Sequence, residues 1–292
     1  MTVSQNTSTY TIDFLVYRPN HNDRHLSKLK ISVITPAFNS ASTIADTIES
    51  VLGQTYTDFE HLIVDGGSSD GTVDIVRRYQ SRYNGRLIFV SEPDNGIYDA
   101  MNKGLAMATG DVAGVLNSDD FYSDNSILAT IAYAFDDDTD SVFGDLKFVA
   151  RENTAKVVRM WKGSPYQSFR TGWHPGHPTF YARKSLYSEL GGFDTSFRIA
   201  ADFELMLRFI EKHRIRTRYI DRCMVDMRIG GASTRNIDNI ITGNREAIRA
   251  FAVNGIPVSV FYPLLRLAPK ARHLFTFCLS SLLASFLNKN DQ

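Results

Sequence analysis

Residues 59–72 read FEHLIVDGGSSDGT, and the fold is decided in this stretch. Phe59–Val64 reads as a buried strand, and Asp65–Gly71 is a turn built from Asp, Gly and Ser. Asp70 is placed to cap a helix carrying Val73, Val76 and Tyr79. The same strand–turn–helix order surrounds it. Upstream, the β-branched run Ile31–Thr35 predicts a strand, followed by Ile44, Ile48, Val51 and Leu52 at helical spacing, with Gly53 closing the helix. Downstream, Leu87–Val90 predicts a strand, then comes a helix with Ile97, Ala100, Met101, Gly104, Leu105 and Ala108 on one face. Val112–Leu116 predicts the next strand. Four β-α units imply an α/β fold, with a Rossmann-like, mostly parallel sheet flanked by helices on both faces. Ligands of such sheets bind beyond the carboxyl ends of the strands.

After residue 122 the pattern changes. Ser141–Val149 and Lys156–Trp161 predict longer, antiparallel strands, and a Pro/Gly/His-rich loop spans Gly172–Pro178. Helices are expected near Arg183–Leu190 and Ala201–Lys212. Arg214, Arg216 and Arg218 alternate with Ile215, Thr217 and Tyr219, which predicts a strand with one basic face.

The chain has 292 residues, with 32 Lys plus Arg against 32 Asp plus Glu, and this neutrality argues against a nucleic-acid binder. The charge is unevenly spread. Glu92–Asp145 holds 12 acidic residues and one basic residue, Lys103, whereas Arg245 to the C-terminus is net +4. The two cysteines, Cys223 and Cys278, make neither a disulfide framework nor a thiolate metal cage, so a reducing cytoplasm is expected. The N-terminus lacks the features of a signal peptide. The longest uncharged apolar stretch, Leu274–Leu287, has 14 residues, short of the ~20 that a spanning helix needs. Residues 1–29 read as a polar extension, 30–235 as the main domain and 236–292 as a helical tail.

Four strand ends deliver polar residues to one rim: TPAFN at Thr35–Asn39, DGGSSDGT at Asp65–Thr72, EPDNGIYDAMNKG at Glu92–Gly104 and NSDD at Asn117–Asp120. Adjacent carboxylates such as Asp119 and Asp120 repel one another unless a cation is near, and Mg²⁺ binds one or two carboxylates and completes its shell with water and phosphates. Such an ion would let an acidic rim hold a diphosphate. The competing reading is a cap cluster for the helix after Asp124. Asp65 can accept a hydrogen bond from a nucleobase imide or simply form an Asx turn. The turn is not a Walker loop, since no Lys-Ser/Thr follows its last glycine, and G-x-G-x-x-G occurs nowhere, which weakens the ATPase and dehydrogenase readings. His174 and His177 flank Pro175 and Gly176, so they cannot form an ordinary helical pair of metal ligands, and no cysteine lies near to complete a zinc site. His177 is a candidate lining of an acceptor pocket, with Trp173 as a stacking face for a sugar.

In this order and spacing, TPAFN, VDGGSSDGT, EPDNGIYDAMNKG and LNSDD resemble the family-2 glycosyltransferases of GT-A fold, in particular the bacterial exopolysaccharide and O-antigen (colanic-acid-like) branch. His177-Pro178, GGFD at Gly191–Asp194, Ala201-Asp202 and GGAST at Gly230–Thr234 extend the resemblance from about Ile31 to Thr234. The resemblance implies a nucleotide-binding half over 30–122, an acceptor half over 123–235 and an inverting transfer from a nucleotide sugar, UDP-linked, to a saccharide or lipid-linked saccharide. Thr35, Pro36, Phe38, Asn39, Asp65 and Gly67 would hold the nucleotide, with Asp94 and Asn95 near the nucleotide or donor sugar. Asn117, Ser118, Asp119 and Asp120 occupy the metal motif. By the same resemblance Asp120 would be the direct ligand of Mg²⁺ or Mn²⁺, and Asp119 would lie near the ribose or metal. Asp202 matches the catalytic base, usually written Glu-Asp; Ala201 replaces the Glu here, and Asn117 replaces a frequent Asp.

The tail joins Arg266, Lys270, Arg272 and His273 to the apolar Leu274–Leu287. It reads either as an interfacial helix on an anionic membrane, which would place the chain peripherally on the cytoplasmic face of the inner membrane, or as a helix packing on the core or in a homodimer. Two other classes compete with the transferase. A sugar-nucleotide nucleotidyltransferase would want a Gly-rich basic loop after the first strand, where TPAFNSAST has no Gly, Lys or Arg. A non-catalytic carbohydrate- or partner-binding module would not need Asp65, Asp119, Asp120 and Asp202 together.

Overall fold

A computed structural model describes residues 29–231, 237–259 and 261–262, together with the backbone of Val16–Tyr17. The elements in chain order are β1 (Val16–Tyr17), β2 (Ile31–Ala37), α1 (Ile44–Leu52), β3 (Phe59–Asp65), α2 (Thr72–Tyr79), β4 (Leu87–Ser91), α3 (Ile97–Met107), β5 (Val112–Val115) and β6 (Phe121–Tyr122). They continue with α4 (Ile127–Ala134), β7 (Ser141–Val149), β8 (Val157–Trp161), β9 (Tyr181–Arg183), α5 (Lys184–Leu190), α6 (Ala201–Met206), β10 (Thr217–Arg228) and α7 (Ile237–Val253). The proposed extension 1–29, the last residues of GGAST and the apolar tail Leu274–Leu287 fall, apart from β1 and Leu29, outside the described residues.

The expected α/β architecture is present. The sheet order is β1-β10-β7-β9-β5-β2-β3-β4, with β6 added to β10 and β8 to β7. Strands β5, β2, β3 and β4 are mutually parallel. Every residue of β2 and β3 is buried, as expected of strands covered on both faces. Alternate side chains feed two separate cores: Ile34 and Leu62 join Met101 and Leu105 of α3, whereas Val33 and Ile63 join Ile44 and Ile48 of α1 and Val76 of α2. Gly104 lets α3 approach the sheet closely, because a Cβ there would sit 2.4 Å from Ile34 Cγ2.

The second half departs from its sequence reading in three places. β7 is antiparallel to β8 and β9, as its pattern suggested, but parallel to β10. The strand β9, unrecognised in the sequence, has only three residues, too few to show a period. It inserts between β5 and β7, where the Tyr181 ring covers Gly114 closely enough that a Cβ would be 2.3 Å from it. The alternating arginines do not form a basic face. Arg214 takes a left-handed backbone (φ 55°) before β10 begins, Arg216 pairs with Asp138 and Asp140, and Arg218 pairs with Asp136. The acidic run after α4 neutralises this edge. Among the described residues no helix is long and apolar enough to cross a membrane.

Candidate active site

The strand-end loops are stitched to one another. Asn39, with φ 48°, donates its backbone N–H to Ser68 Oγ (2.7 Å) and accepts from the Ser69 N–H at Oδ1 (3.0 Å). Ser40 and Ser118 hydroxyls meet at 2.7 Å, which joins the loop after β2 to the loop after β5. Asp65 is buried and forms the Asx turn: Oδ2 accepts from the N–H of Gly67 (3.1 Å) and Ser68 (3.0 Å) and from Ser91 Oγ (2.7 Å), and Oδ1 accepts from Ser68 Oγ. Gly67 holds φ 84°, a value few side chains tolerate. Gly66 leaves room for Asp94, whose Oδ2 would lie 2.4 Å from a Cβ there. Asp94 Oδ1 accepts from the Gly96 N–H (2.8 Å), and the Asn95 N–H donates to Asp99 (3.0 Å) at the start of α3. Phe38 is 62% exposed on the rim, and Pro36 is buried beneath it. Thr35 turns inward. Its side chain is fully buried inside the sheet, 2.9 Å from Nε2 of His61, a ring whose pKa burial depresses to about 3, so the hydroxyl belongs to the core rather than the rim.

The two vicinal aspartates do not cap α4: no side chain caps that helix, and the turn ahead of it is formed by the Asp124 carboxylate, which accepts from the Ser126 N–H at 2.8 Å. Asp120 is 1% exposed and accepts from Asn117 Nδ2 (3.0 Å) and the Arg228 N–H (3.3 Å). Burial and then the neighbouring Asp119 charge hold its carboxyl well above the usual carboxylate range, and burial raises Asp119 as well. Asn117 Oδ1 is buried with no hydrogen-bond partner. Two residues that the sequence reading passed over support the pair. The nearly buried Arg228 donates to the Asp119 carbonyl (2.7 Å) and to Asp46 of α1, and its guanidinium lies 5.0 Å from the centre of the Phe121 ring. Arg151 lies 3.8 Å from Asp119 Oδ2. No local motif marks Arg228; it reaches Asp120 across a separation of 108 residues.

A hard oxygen set of two carboxylates and an unpaired amide carbonyl fits Mg²⁺ or Mn²⁺, which favour oxygen donors, and does not suit zinc. Among the described residues no cluster of three or more His, Cys, Asp or Glu side chains is placed to hold a metal, so phosphate or water oxygens would have to complete the shell.

Asp202 opens α6 with its side chain about one-third exposed. Tyr98 of α3 places its hydroxyl 3.3 Å from Asp202 Oδ1 and 2.7 Å from the Ile199 carbonyl. His177 Nδ1 is 4.0 Å from Asp202 Oδ2; burial lowers this imidazole's pKa, partly offset by the Asp202 charge. The GGFD turn is clamped from both sides. Asn102 exchanges hydrogen bonds with Phe193 at 2.8 Å each, and Arg208 donates to the carbonyls of Leu190, Gly191 (2.9 Å) and Gly192 (2.7 Å). Trp173 departs from the exposed stacking face expected of it. Its ring is buried against Phe143, Tyr166 and Phe169, and its Nε1–H faces the Ser164 carbonyl and hydroxyl at 3.2 and 3.1 Å, so it stiffens the loop instead of presenting a stacking face. His174 packs edge-on against Trp161 and Phe203.

Comparison with known proteins places this arrangement. The chain is 30% identical over 213 residues to a PGL/p-HBAD biosynthesis glycosyltransferase of Mycobacterium tuberculosis, covering 71% of this chain and 80% of the relative. Its fold is similar to the crystal structure of S. aureus TarS 1–349 in complex with UDP-GlcNAc (TM-score 0.60, 21% identity, 84% of this chain and 72% of that one). The chain covers only 37% of the longer TarS chain. It is also similar to the Pyrobaculum calidifontis mannosyltransferase PcManGT in complex with GDP-Man and Mn²⁺ (TM-score 0.58, 20% identity, 90% and 80% covered). These structures share its GT-A architecture. The sequence profile described as Glycosyl transferase family 2 matches residues 32–200, more than half of the chain, and this protein therefore belongs to that family of glycosyltransferases.

Proposed function

We propose that this glycosyltransferase moves a sugar from a UDP-linked donor to a saccharide or lipid-linked saccharide of the bacterial cell surface, in one metal-dependent, inverting displacement. The observation that supports this best is the vicinal Asp119–Asp120 pair, Asp120 buried and Asp119 part-exposed, next to Asn117, whose side-chain carbonyl has no hydrogen-bond partner. Pro36, Phe38, Asn39, Asp65 and Gly67 form the loops assigned to the nucleotide, with Asp94, Asn95 and Ser118 at their edge. Residues 30–122 then serve as the donor half and 123–235 as the acceptor half. Asp120 and Asp119 would hold Mg²⁺ or Mn²⁺, with Asn117 as a further oxygen donor. When bound, such an ion neutralises charge developing on the diphosphate leaving group, so departure needs no proton transfer.

Only the attacking hydroxyl then needs a base. Asp202 accepts that proton at a carboxylate oxygen, Tyr98 orients the carboxylate by a hydrogen bond, and His177 lies 4.0 Å from it. A single base opposite the leaving group implies one in-line attack through an oxocarbenium-like transition state, with inversion at the anomeric carbon. The basic, apolar tail would bring the enzyme to the cytoplasmic face of an anionic membrane, where a lipid-linked acceptor resides.

The test is nucleotide release from a panel of UDP- and GDP-sugars with Mn²⁺, water serving as the acceptor. One donor should turn over, and Asp202→Asn should lower its turnover by about 10²–10⁴-fold, the range for removing a general base, while leaving UDP affinity intact. Turnover of none of the donors, or an unchanged rate in Asp202→Asn, would contradict the proposal.

A further inference from the structure

The peptide N–H groups of residues 198–200 lie immediately ahead of α6, outside its own hydrogen-bond ladder. In this chain they converge on one side chain from a different element. Glu246 of α7 accepts from the N–H of Arg198 (2.8 Å), Ile199 (2.8 Å) and Ala200 (2.9 Å). One turn further on, Arg249 donates to the Ser196 carbonyl (3.0 Å) and hydroxyl (2.7 Å), and its guanidinium lies 4.3 Å from the centre of the Phe197 ring. Ala247, Ala250 and Phe251 on the same helix are fully buried in the α6-side core. α7 therefore holds residues 196–200 by both charge and packing, just ahead of Asp202.

The hold continues to the carboxylate. The Ile199 peptide that donates its N–H lies next to the carbonyl that accepts from Tyr98, and the Tyr98 hydroxyl is also 3.3 Å from Asp202 Oδ1. A continuous path thus runs from Glu246 through the Ile199 backbone and Tyr98 to the base. Hydrogen bonds to a carboxylate are charge-assisted and stronger than neutral ones, and a base displaced by about 1 Å loses roughly 10²-fold in rate. α7 lies beyond residues 32–200, the span that matches the family profile.

We infer that Glu246 is a positioning residue for the transfer step: its carboxylate fixes residues 198–200 so that Tyr98 and Asp202 keep a productive geometry. This rests on Asp202 being the base. The test is a double-mutant cycle on nucleotide release from the UDP-sugar donor, with Mn²⁺ and water as acceptor. Glu246→Ala should lower kcat by at least about tenfold, given the steep dependence of rate on base placement, with donor KM within about twofold of the parent. Tyr98→Phe should also lower kcat. The double variant should be little worse than the poorer single one, because both changes break the same path. Glu246→Gln keeps one acceptor oxygen and should recover part of the rate; it also takes the place of Glu246→Ala in the cycle if the alanine variant does not fold. Unchanged kcat in the folded Glu246 variant, a rise in donor KM in place of a fall in kcat, or effects of Glu246 and Tyr98 that multiply would overturn the inference. Asp202→Asn run alongside separates the two failures. Full activity there removes the base assignment itself, whereas loss of activity there with an unaffected Glu246 variant removes only the positioning role.

Discussion

The chemistry at residue scale depends on how a buried, doubly acidic corner is tolerated. Asp120 is buried next to another carboxylate, and the fold answers with two hydrogen bonds to it and a nearly buried arginine beside it. The Arg228 guanidinium bonds to the Asp119 carbonyl, and only its backbone N–H reaches the Asp120 carboxylate, so the side chain braces the backbone of the pair. Arg228→Ala should therefore loosen the Asn117–Asp120 loop. The lost hydrogen bond and the stranded carbonyl should destabilise the fold by about 1–3 kcal/mol, read by thermal or urea denaturation. Metal-dependent UDP affinity should weaken in parallel. A variant as stable as the parent and with parental UDP affinity would show that Arg228 does not brace the pair. Asp65 shows the same economy: its carboxylate completes a turn by accepting from two N–H groups and two hydroxyls, and the loop that it shapes is the one assigned to the nucleotide.

At the scale of elements, the site depends on how closely α3 lies on the sheet. α3 begins just after Asp94, carries Tyr98 to Asp202 and clamps the GGFD turn through Asn102. Gly104 seats it on Ile34 of β2, and the Ile34 side chain can yield only part of the space a methyl group needs. Gly104→Ala should destabilise by about 1–3 kcal/mol through overpacking, net of the helix-propensity gain of alanine, and calorimetry should register a lower Tm. An unchanged or raised Tm would mean that α3 has slack. The first four strands and the helices α1 to α3 were legible in the sequence because each carries its own period and ends in a recognisable turn. β9 was not, since three residues carry no period and the strand is defined by the neighbours on either side. Arg228, Tyr98 and Glu246 escaped for a related reason. Their roles are contacts with Asp120, Asp202 and the Ile199 peptide, made across 108, 104 and 47 positions, and no local pattern encodes such contacts. Trp173 misled in the opposite direction: an aromatic in a Pro/Gly/His loop suggests a sugar platform, but its neighbours bury the ring.

Over the whole molecule, the formal charge of zero conceals a separation. The acidic stretch Glu92–Asp145 contains Asp94, Asp119 and Asp120, but its second cluster, Asp136–Asp140, is spent on Arg216 and Arg218 at the far end of β10. The rim keeps the carboxyl groups of Asp94, Asp119 and Asp120, with Arg151 and Arg228 beside the last two, and a nucleoside diphosphate is negative. A cation must therefore accompany the nucleotide if the carboxylates are to attract rather than repel it. Isothermal titration of UDP tests this most directly, with Mn²⁺ and again with a chelator, on the parent chain and on Asp120→Ala. The account predicts at least about tenfold tighter binding with the metal, equivalent to about 1.4 kcal/mol, and loss of that difference in the variant. Equal affinity with and without metal in the parent, or a metal effect that survives Asp120→Ala, would contradict it.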